Sequence, residues 1–277
     1  MKSTISAQDI ENYRNQGYLI IENALSQQVV DDLCNEAAEV CLGKRGEIAG
    51  AEEFEGLDVA ALLKKIIAIH FPHKLSGGLR DMLFNPVITN TLTQIIGPNV
   101  KCMQSMFFVK HAGRPGQAWH QDETFIPTRD RSMTGVWIAL DKATVDNGCL
   151  WVIPGSHKSG VLWPGRAHSS PEFDHTEEAY GYPFSEDEAI PVELEPGSIL
   201  FFNGYLLHKS NKNTTENNSR RSYVCHYMSA ESLLPWSGGA LPNPVEDYRD
   251  IVLVAGDDPY AYKGTEDISV PYLRPES

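Results

Sequence analysis

EPGSILFFNGYLLHKS, residues 195–210, opens on a tight-turn signal, Glu195-Pro196-Gly197-Ser198, and runs on into Ile199-Leu200-Phe201-Phe202. Proline presets the backbone for the turn and glycine accepts the reversed one that follows, so the four apolar residues read as a strand entered through a sharp corner. The same grammar recurs outward from this stretch. Met106-Phe107-Phe108-Val109 reads as a buried strand, Met133 to Leu140 as another, and Leu150-Trp151-Val152-Ile153 as a third, entered through Asp146-Asn147-Gly148. Ser222 to Met228 alternates as a strand does. Short strands separated by Pro/Gly turns predict an antiparallel sandwich or barrel.

The N-terminal third follows a different period. Ser6 to Gln16 reads as a helix with Ile10 and Tyr13 on one face and Gly17 as its stop, followed by a short strand-like run, Tyr18-Leu19-Ile20-Ile21. Ser26 opens a second helix carrying Val29, Val30, Leu33, Ala37 and Val40, and a third is expected from about Asn85 to Ile96, before Gly97-Pro98. Residues 44–62 are mixed and acidic and carry no clear period. With no repeat, low-complexity tract or linker, the expectation is one domain over 1–277. It comprises a helical support over about 1–99, a β core over about 100–230 and a C-terminal extension over 231–277.

Composition narrows the function classes. A formal net charge of −14 argues against a nucleic-acid partner, because phosphate binding needs a basic face, although a few local Arg or Lys residues suffice for a small anion. Arg129, Arg131, Lys158 and Arg166 flank the strands and are candidates for such a contact, set against the plainer reading of solvated loop charges. The five cysteines, Cys34, Cys41, Cys102, Cys149 and Cys225, form no C-x-x-C pair and suggest neither a disulfide framework nor a zinc ribbon. Met1-Lys2-Ser3-Thr4 leads straight into a polar helical pattern, and no run of eighteen apolar residues occurs. A soluble cytoplasmic protein with no membrane partner is expected.

Two features carry chemistry. Trp119-His120-Gln121-Asp122 contains His-x-Asp, and on an extended chain residues two apart share a face, so His120 and Asp122 can grip one ion together. Imidazole plus carboxylate is the mixed set that non-haem iron takes, and a second histidine completes a facial triad with three open positions. Alone the pattern is common by chance. Its support lies downstream, where the strand at 199–202 runs on to His208, followed by an Asn-rich polar stretch and then Arg220-Arg221. A buried arginine there is costly unless it meets an anion, and its planar fork suits a carboxylate. The plainer reading is two surface charges at a strand start; consecutive strand residues face opposite sides, so at most one of the pair enters a pocket. His111, His157, His168 and His175 sit in loop-like contexts and read as solvated. His70 and His73 fit either a substrate entrance or a structural role. His226 shares a strand face with Arg220.

Together, "WHQDETF", "NGCLWVIPGSHKSGV" and "PGSILFFNGYLLHKSNKN…RRSYVCHY", with "QDIENYRNQGYLIIENALS" and "QSMFFVK" before them, make the chain resemble the phytanoyl-CoA dioxygenase family along nearly its whole length. The resemblance implies a mainly β fold, a double-stranded β-helix or jelly roll with helices packed on one side. It implies an Fe(II)- and 2-oxoglutarate-dependent dioxygenase that consumes O2, hydroxylates an unactivated C–H bond of a small, polar or anionic metabolite, and releases succinate and CO2. It maps iron onto His120, Asp122 and His208, and the cosubstrate's distal carboxylate onto Arg220, helped by Ser210. It further implies Trp137, Met106 and Lys65 as cosubstrate contacts. The His208–Arg220 spacing is one residue longer than the family pattern, which keeps Arg221 open as an alternative anchor. Asp122 separates the chain from halogenating relatives, which carry a small residue there. The competing readings are a cupin-like metal isomerase or cosubstrate-free dioxygenase, and a silent binding protein on the same barrel. The absence of His-x-His disfavours the former, and the intact set of His120, Asp122, His208 and Arg220 disfavours the latter. Oligomeric state is not legible.

Overall fold

The computed structural model of the chain describes residues 5–232 and 249–275. Its N-terminal third holds α1 (Ala7–Gln16), β1 (Tyr18–Ile21), α2 (Gln27–Cys41), α3 (Val59–Leu63), β2 (Ile66–His70), α4 (Gly77–Met82) and α5 (Pro86–Ile95). Then come β3 (Val100–Lys110), β4 (Gln117–His120), α6 (Asp122–Phe125), β5 (Thr134–Ala139), β6 (Leu150–Val152), β7 (Gly165–Arg166) and β8 (Glu178–Ala179). The chain continues through β9 (Ile190–Val192), β10 (Ile199–Asn203), β11 (His208–Ser210), β12 (Arg220–Ser229), β13 (Val252–Ala255) and β14 (Tyr272–Pro275).

Local chemistry sets the ends of the helices. Ser6 caps α1 in a reciprocal capping box with Asp9, and Gly17 ends it in the left-handed region at φ 82°. A side chain there would also strike His157, since an added Cβ would lie 2.4 Å from its Nδ1. Ser26 caps α2 through Val29 N–H. The stretch 44–62, which shows no period, folds as a 3-10 turn over Ala51–Phe54 and the short helix α3, capped by Asp58. The strand expected at 106–109 is the C-terminal part of the longer β3.

All strand pairs are antiparallel. The main sheet runs β1-β10-β5-β12-β3-β2-β14, with β13 also on β3, and it faces a smaller sheet, β4-β11-β6-β9. This is the mainly β jelly roll the sequence predicts, with helices on one side. The main sheet draws strands from outside 100–230: β1 and β2 come from the helical third, and β13 and β14 from the C-terminal stretch.

Alternation sorts the main sheet into two faces. Phe107, Val109, Val136, Ile138, Phe201, Tyr223, Cys225 and Tyr227 join the core cluster that includes Val30, Leu33, Leu79, Leu83, Ile88 and Leu92 of the helical layer. Tyr223 and Tyr227 reach that layer with their hydroxyls too, donating to the carbonyls of Leu79 (3.0 Å) and Leu83 (3.2 Å). The intervening residues, Met106, Phe108, Lys110, Trp137, Arg220, Val224 and His226, turn toward the smaller sheet and line a cavity of about 1180 Å³. No helix among the described residues is long and apolar enough to cross a membrane.

Candidate active site

The cavity narrows onto three side chains. His120 ends β4 and His208 begins β11, and the two are direct partners in the β11–β4 register, so strand pairing alone sets their rings 4.1 Å apart. Gln121 is extended (φ −130°, ψ 126°), which returns Asp122 to the side of His120, as the two-residue spacing requires, although Asp122 itself opens the short helix α6. Asp122 Oδ1 lies 3.5 Å from His120 Nε2 and 3.4 Å from His208 Nε2. Donor atoms about 2.1 Å from one common ion lie roughly 3–3.5 Å apart, so the spacing fits a shared metal. The three residues form the His/Asp cluster of the described chain whose ligand atoms all lie within 4.8 Å of one another.

The imidazole orientations are fixed from behind. His120 Nδ1 lies 2.7 Å from the carbonyl of Ala118, and His208 Nδ1 lies 2.9 Å from that of Leu206. A carbonyl only accepts, so each Nδ1 carries the hydrogen and each Nε2 presents its lone pair to the shared centre. Asp122 Oδ2 is held by His226 Nε2 at 3.0 Å, and His226 Nδ1 lies 3.2 Å from Gln104 Nε2. Burial alone would raise the Asp122 carboxyl, but the imidazoles around it, His208 foremost with His120 and His226, hold it well below the usual carboxylate range. Asp122 is therefore an anion, as a hard metal ligand must be.

A second cluster lies deeper. Arg220 enters the cavity, its guanidinium 5.2 Å from the centroid of the Trp137 ring, donating to Ser222 Oγ (3.1 Å) and the Gly148 carbonyl (3.2 Å). Its Nε is buried with no hydrogen-bond partner. Arg221 points the other way, where Nε and Nη2 grip the Asp141 carboxylate at 2.8 and 2.7 Å. Beside Arg220 stands Lys110, whose Nζ donates to Ser210 Oγ (2.7 Å) and to the Asn211 carbonyl (2.8 Å). Burial, reinforced by Arg220, drives the Lys110 ammonium well below its usual value, and burial brings Arg220 down to about 10. Gly148 packs against this pair at φ 77°, where an added Cβ would meet Lys110 Cδ at 2.8 Å and the Asn211 carbonyl at 2.4 Å.

Of the residues singled out in the sequence, His120, Asp122, His208, Arg220, Ser210, Trp137 and Met106 all line this one cavity. Lys65 does not. It is exposed in the turn after α3, just before β2 begins, and lies outside the walls. Lys110, which the reading passed over, supplies the buried amine instead. Its signal was the parity of Met106, Phe108 and Lys110 along one strand. His70 lines the cavity, whereas His73 is a buried structural residue bonded to Ser105 Oγ at 2.7 Å. His168 and His175, expected in solvent, also line it. Arg131, Lys158 and Arg166 stay outside it, near Tyr205, Asn15 and Glu178 respectively.

Comparison with known proteins places this geometry. The family model for phytanoyl-CoA dioxygenase matches residues 13–222. A "Phytanoyl-CoA dioxygenase" of Arabidopsis thaliana is 32% identical over 164 residues, which span 58% of this chain and 56% of that protein. Among solved structures, the non-heme alpha ketoglutarate dependent carbocyclase SnoK from nogalamycin biosynthesis superposes with a TM-score of 0.65 at 24% identity, covering 91% of this chain and 97% of that one. CytC3 with Fe(II) and alpha-ketoglutarate does so with a TM-score of 0.64 at 20% identity, covering 93% and 91%. These two share the fold.

Proposed function

This chain belongs to the phytanoyl-CoA dioxygenase family, and on that premise we propose that it is an Fe(II)- and 2-oxoglutarate-dependent oxygenase. It hydroxylates an unactivated C–H bond of a small organic molecule, polar or anionic, and releases succinate and carbon dioxide. The observation that carries this reading is the pairing of two clusters in one cavity: a His–Asp–His set facing a single point, and two buried cations on β3 and β12 met by a hydroxyl from β11.

The donor chemistry fits both groups. Two neutral imidazoles and one carboxylate suit ferrous iron and leave part of its coordination shell for other ligands. Arg220, Lys110 and Ser210 offer the distal carboxylate of 2-oxoglutarate a fork, an ammonium and a hydroxyl, and the unpartnered Arg220 Nε marks hydrogen-bonding capacity left to fill. The Trp137 ring packs near the Arg220 guanidinium, and Met106 and Val224 line the same cavity. Bound iron, cosubstrate and dioxygen supply the oxidising power, as is general for such cofactors. The chain's own task is to bind, to orient the substrate C–H bond and to keep water out. Asp122 occupies the carboxylate position, which supports hydroxylation. We assign the activity to a single catalytic domain acting in the cytoplasm, where five unpaired cysteines suit a reducing milieu.

The test is succinate release from 2-oxoglutarate under air with added Fe(II). Asp122→Ala and His208→Ala abolish it in this reading, and retained turnover in either removes the ligand assignment. A substrate product heavier by one oxygen atom distinguishes hydroxylation from cyclisation or epimerisation on the same scaffold.

A further inference from the structure

His226 is fixed in the opposite sense from the two histidines of the triad. His120 and His208 each give an Nδ1 hydrogen to a backbone carbonyl, of Ala118 and Leu206, and present Nε2 as a lone pair. His226 presents Nε2 to Asp122 Oδ2 at 3.0 Å, and a carboxylate only accepts, so this Nε2 carries a hydrogen. Its Nδ1 meets no carbonyl. It meets a side chain, the amide nitrogen of Gln104 at 3.2 Å, which only donates, so Nδ1 accepts. The hydrogen bonds therefore run one way, from Gln104 to His226 to Asp122. They leave Asp122 Oδ1 facing the Nε2 atoms of His120 and His208.

The strand is shaped for this contact. Gln104 and His226 are direct partners across the β3–β12 ladder, both are buried, and both line the cavity. Just past them the register slips: the next partners are Cys102 and Tyr227, so β3 spends one extra residue, Met103. A bulge of this kind re-aims the side chains on either side of it. Before it, Val100 and Cys102 pack into the core shared with the helical layer. After it, the even-numbered residues Gln104, Met106, Phe108 and Lys110 line the cavity. Strict alternation from Cys102 would have turned Gln104 toward the helical layer. The bulge thus places the amide on the side where His226 needs a donor.

We propose that Gln104 is a positioning residue: it keeps the His226 hydrogen on Nε2 and, through His226, holds Asp122 in the orientation that binds the metal. This deepens the oxygenase reading and rests on its ligand assignment. Without the amide, Nδ1 is left buried with no donor, a cost that moving the hydrogen from Nε2 to Nδ1 relieves in part. That move sets a lone pair against Asp122 Oδ2. The carboxylate is then free to rotate, and Oδ1 loses its fixed place among the three donor atoms. A tautomer set by a backbone carbonyl survives substitution of any side chain, whereas this one depends on a single residue.

The test reads the tautomer directly, by nitrogen NMR of protein labelled in its histidine rings and loaded with Zn(II), which is redox-silent. Nitrogens with and without a hydrogen resonate far apart, and the His226 pair is identified by its loss in His226→Gln. In wild type, Nε2 carries the hydrogen and Nδ1 does not. Gln104→Met keeps the length of the side chain and removes its donor. It shifts the hydrogen toward Nδ1 and weakens Zn(II) binding about tenfold, the lower end for an outer partner of a ligand. In a His226→Leu background the same substitution changes Zn(II) affinity no further, because the two act through one path. If Gln104→Met does not fold, Gln104→Asn, one methylene shorter and out of reach of Nδ1, takes its place with the same expectations. A hydrogen on Nδ1 in wild type overturns the inference and leaves the oxygenase reading standing. So does an unchanged tautomer or Zn(II) affinity in the Gln104 variant, or a tenfold loss that persists without His226. If Asp122→Ala binds Zn(II) as well as wild type does, the ligand assignment and the inference fall together.

Discussion

Lys110 and Arg220 are direct partners across the β3–β12 ladder, two buried cations side by side. Among the described residues neither has a carboxylate within ion-pair distance. Like charges placed opposite each other destabilise a sheet, and burial removes the water that would screen them. The ladder is thus built with a standing deficit of negative charge at the point where the proposed cosubstrate's carboxylate sits.

Replacing one cation therefore has opposite effects on the empty and the loaded protein. Lys110→Met is expected to raise the melting temperature without anions and to weaken 2-oxoglutarate binding by about ten- to a hundredfold. Lys110 is depressed in the folded protein, so the unfolded chain binds more protons between the folded value and the ordinary 10.5. Stability consequently rises with pH through that window in wild type, and an anion or Lys110→Met flattens the rise. Thermal shift with and without succinate checks both, and an unchanged melting temperature on all counts contradicts the account.

His226 acts through Asp122, whose Oδ2 it holds at 3.0 Å. His226→Leu is expected to lower metal affinity about 10–100-fold, the usual effect of removing an outer partner of a ligand. Arg220 remains in place, so an anion such as succinate should still raise the melting temperature. Metal titration separates this from misfolding, and His226→Gln restores part of the affinity.

His73 is 5% exposed, bonded to Ser105, and lowered by burial to about 4. The unfolded imidazole titrates near 6.5, so between those values the unfolded chain holds the extra proton. Stability present above pH 6.5 is lost as pH falls toward 4, by about 3 kcal/mol at the lower end for this group. His73→Asn, which titrates nowhere in the range, should give a shallower acid limb in denaturant unfolding. An identical limb shows that other groups govern it.

Tyr223 is fully buried and its hydroxyl donates to the Leu79 carbonyl. Tyr223→Phe leaves that carbonyl short of a partner and should cost about 1–2 kcal/mol. Turnover at permissive temperature is unchanged, because the ring lies on the face of β12 away from the cavity. A lowered kcat with normal stability would count against that separation.

The parts of the site legible in the sequence are those set by local spacing. His120 and Asp122 share a side because one extended residue separates them, and Arg220 turns inward where Arg221 turns outward because strands alternate. His208 marked itself by following the apolar stretch that begins at Ile199, although it opens β11 and does not close β10. Lys65 misled because the chain between α3 and β2 offers no period to fix a register. Arg274, which also lines the cavity, could not be found at all: its place there follows from β14 pairing with β2, some two hundred residues earlier, and no local pattern encodes that partner. The same holds for β1 and β2, whose membership in the main sheet depends on distant strands.

The division of β12 into even- and odd-numbered positions bears on how such a protein can change. Arg220, Val224 and His226 meet the cavity, while Tyr223, Cys225 and Tyr227 meet the helical layer. Variation at the first set alters what the cavity accepts without disturbing the packing that keeps the strand in place. The second set secures the strand without entering the chemistry. A single strand therefore keeps two separate records, one of substrate and one of architecture, and a lineage can rewrite the first while the second stands.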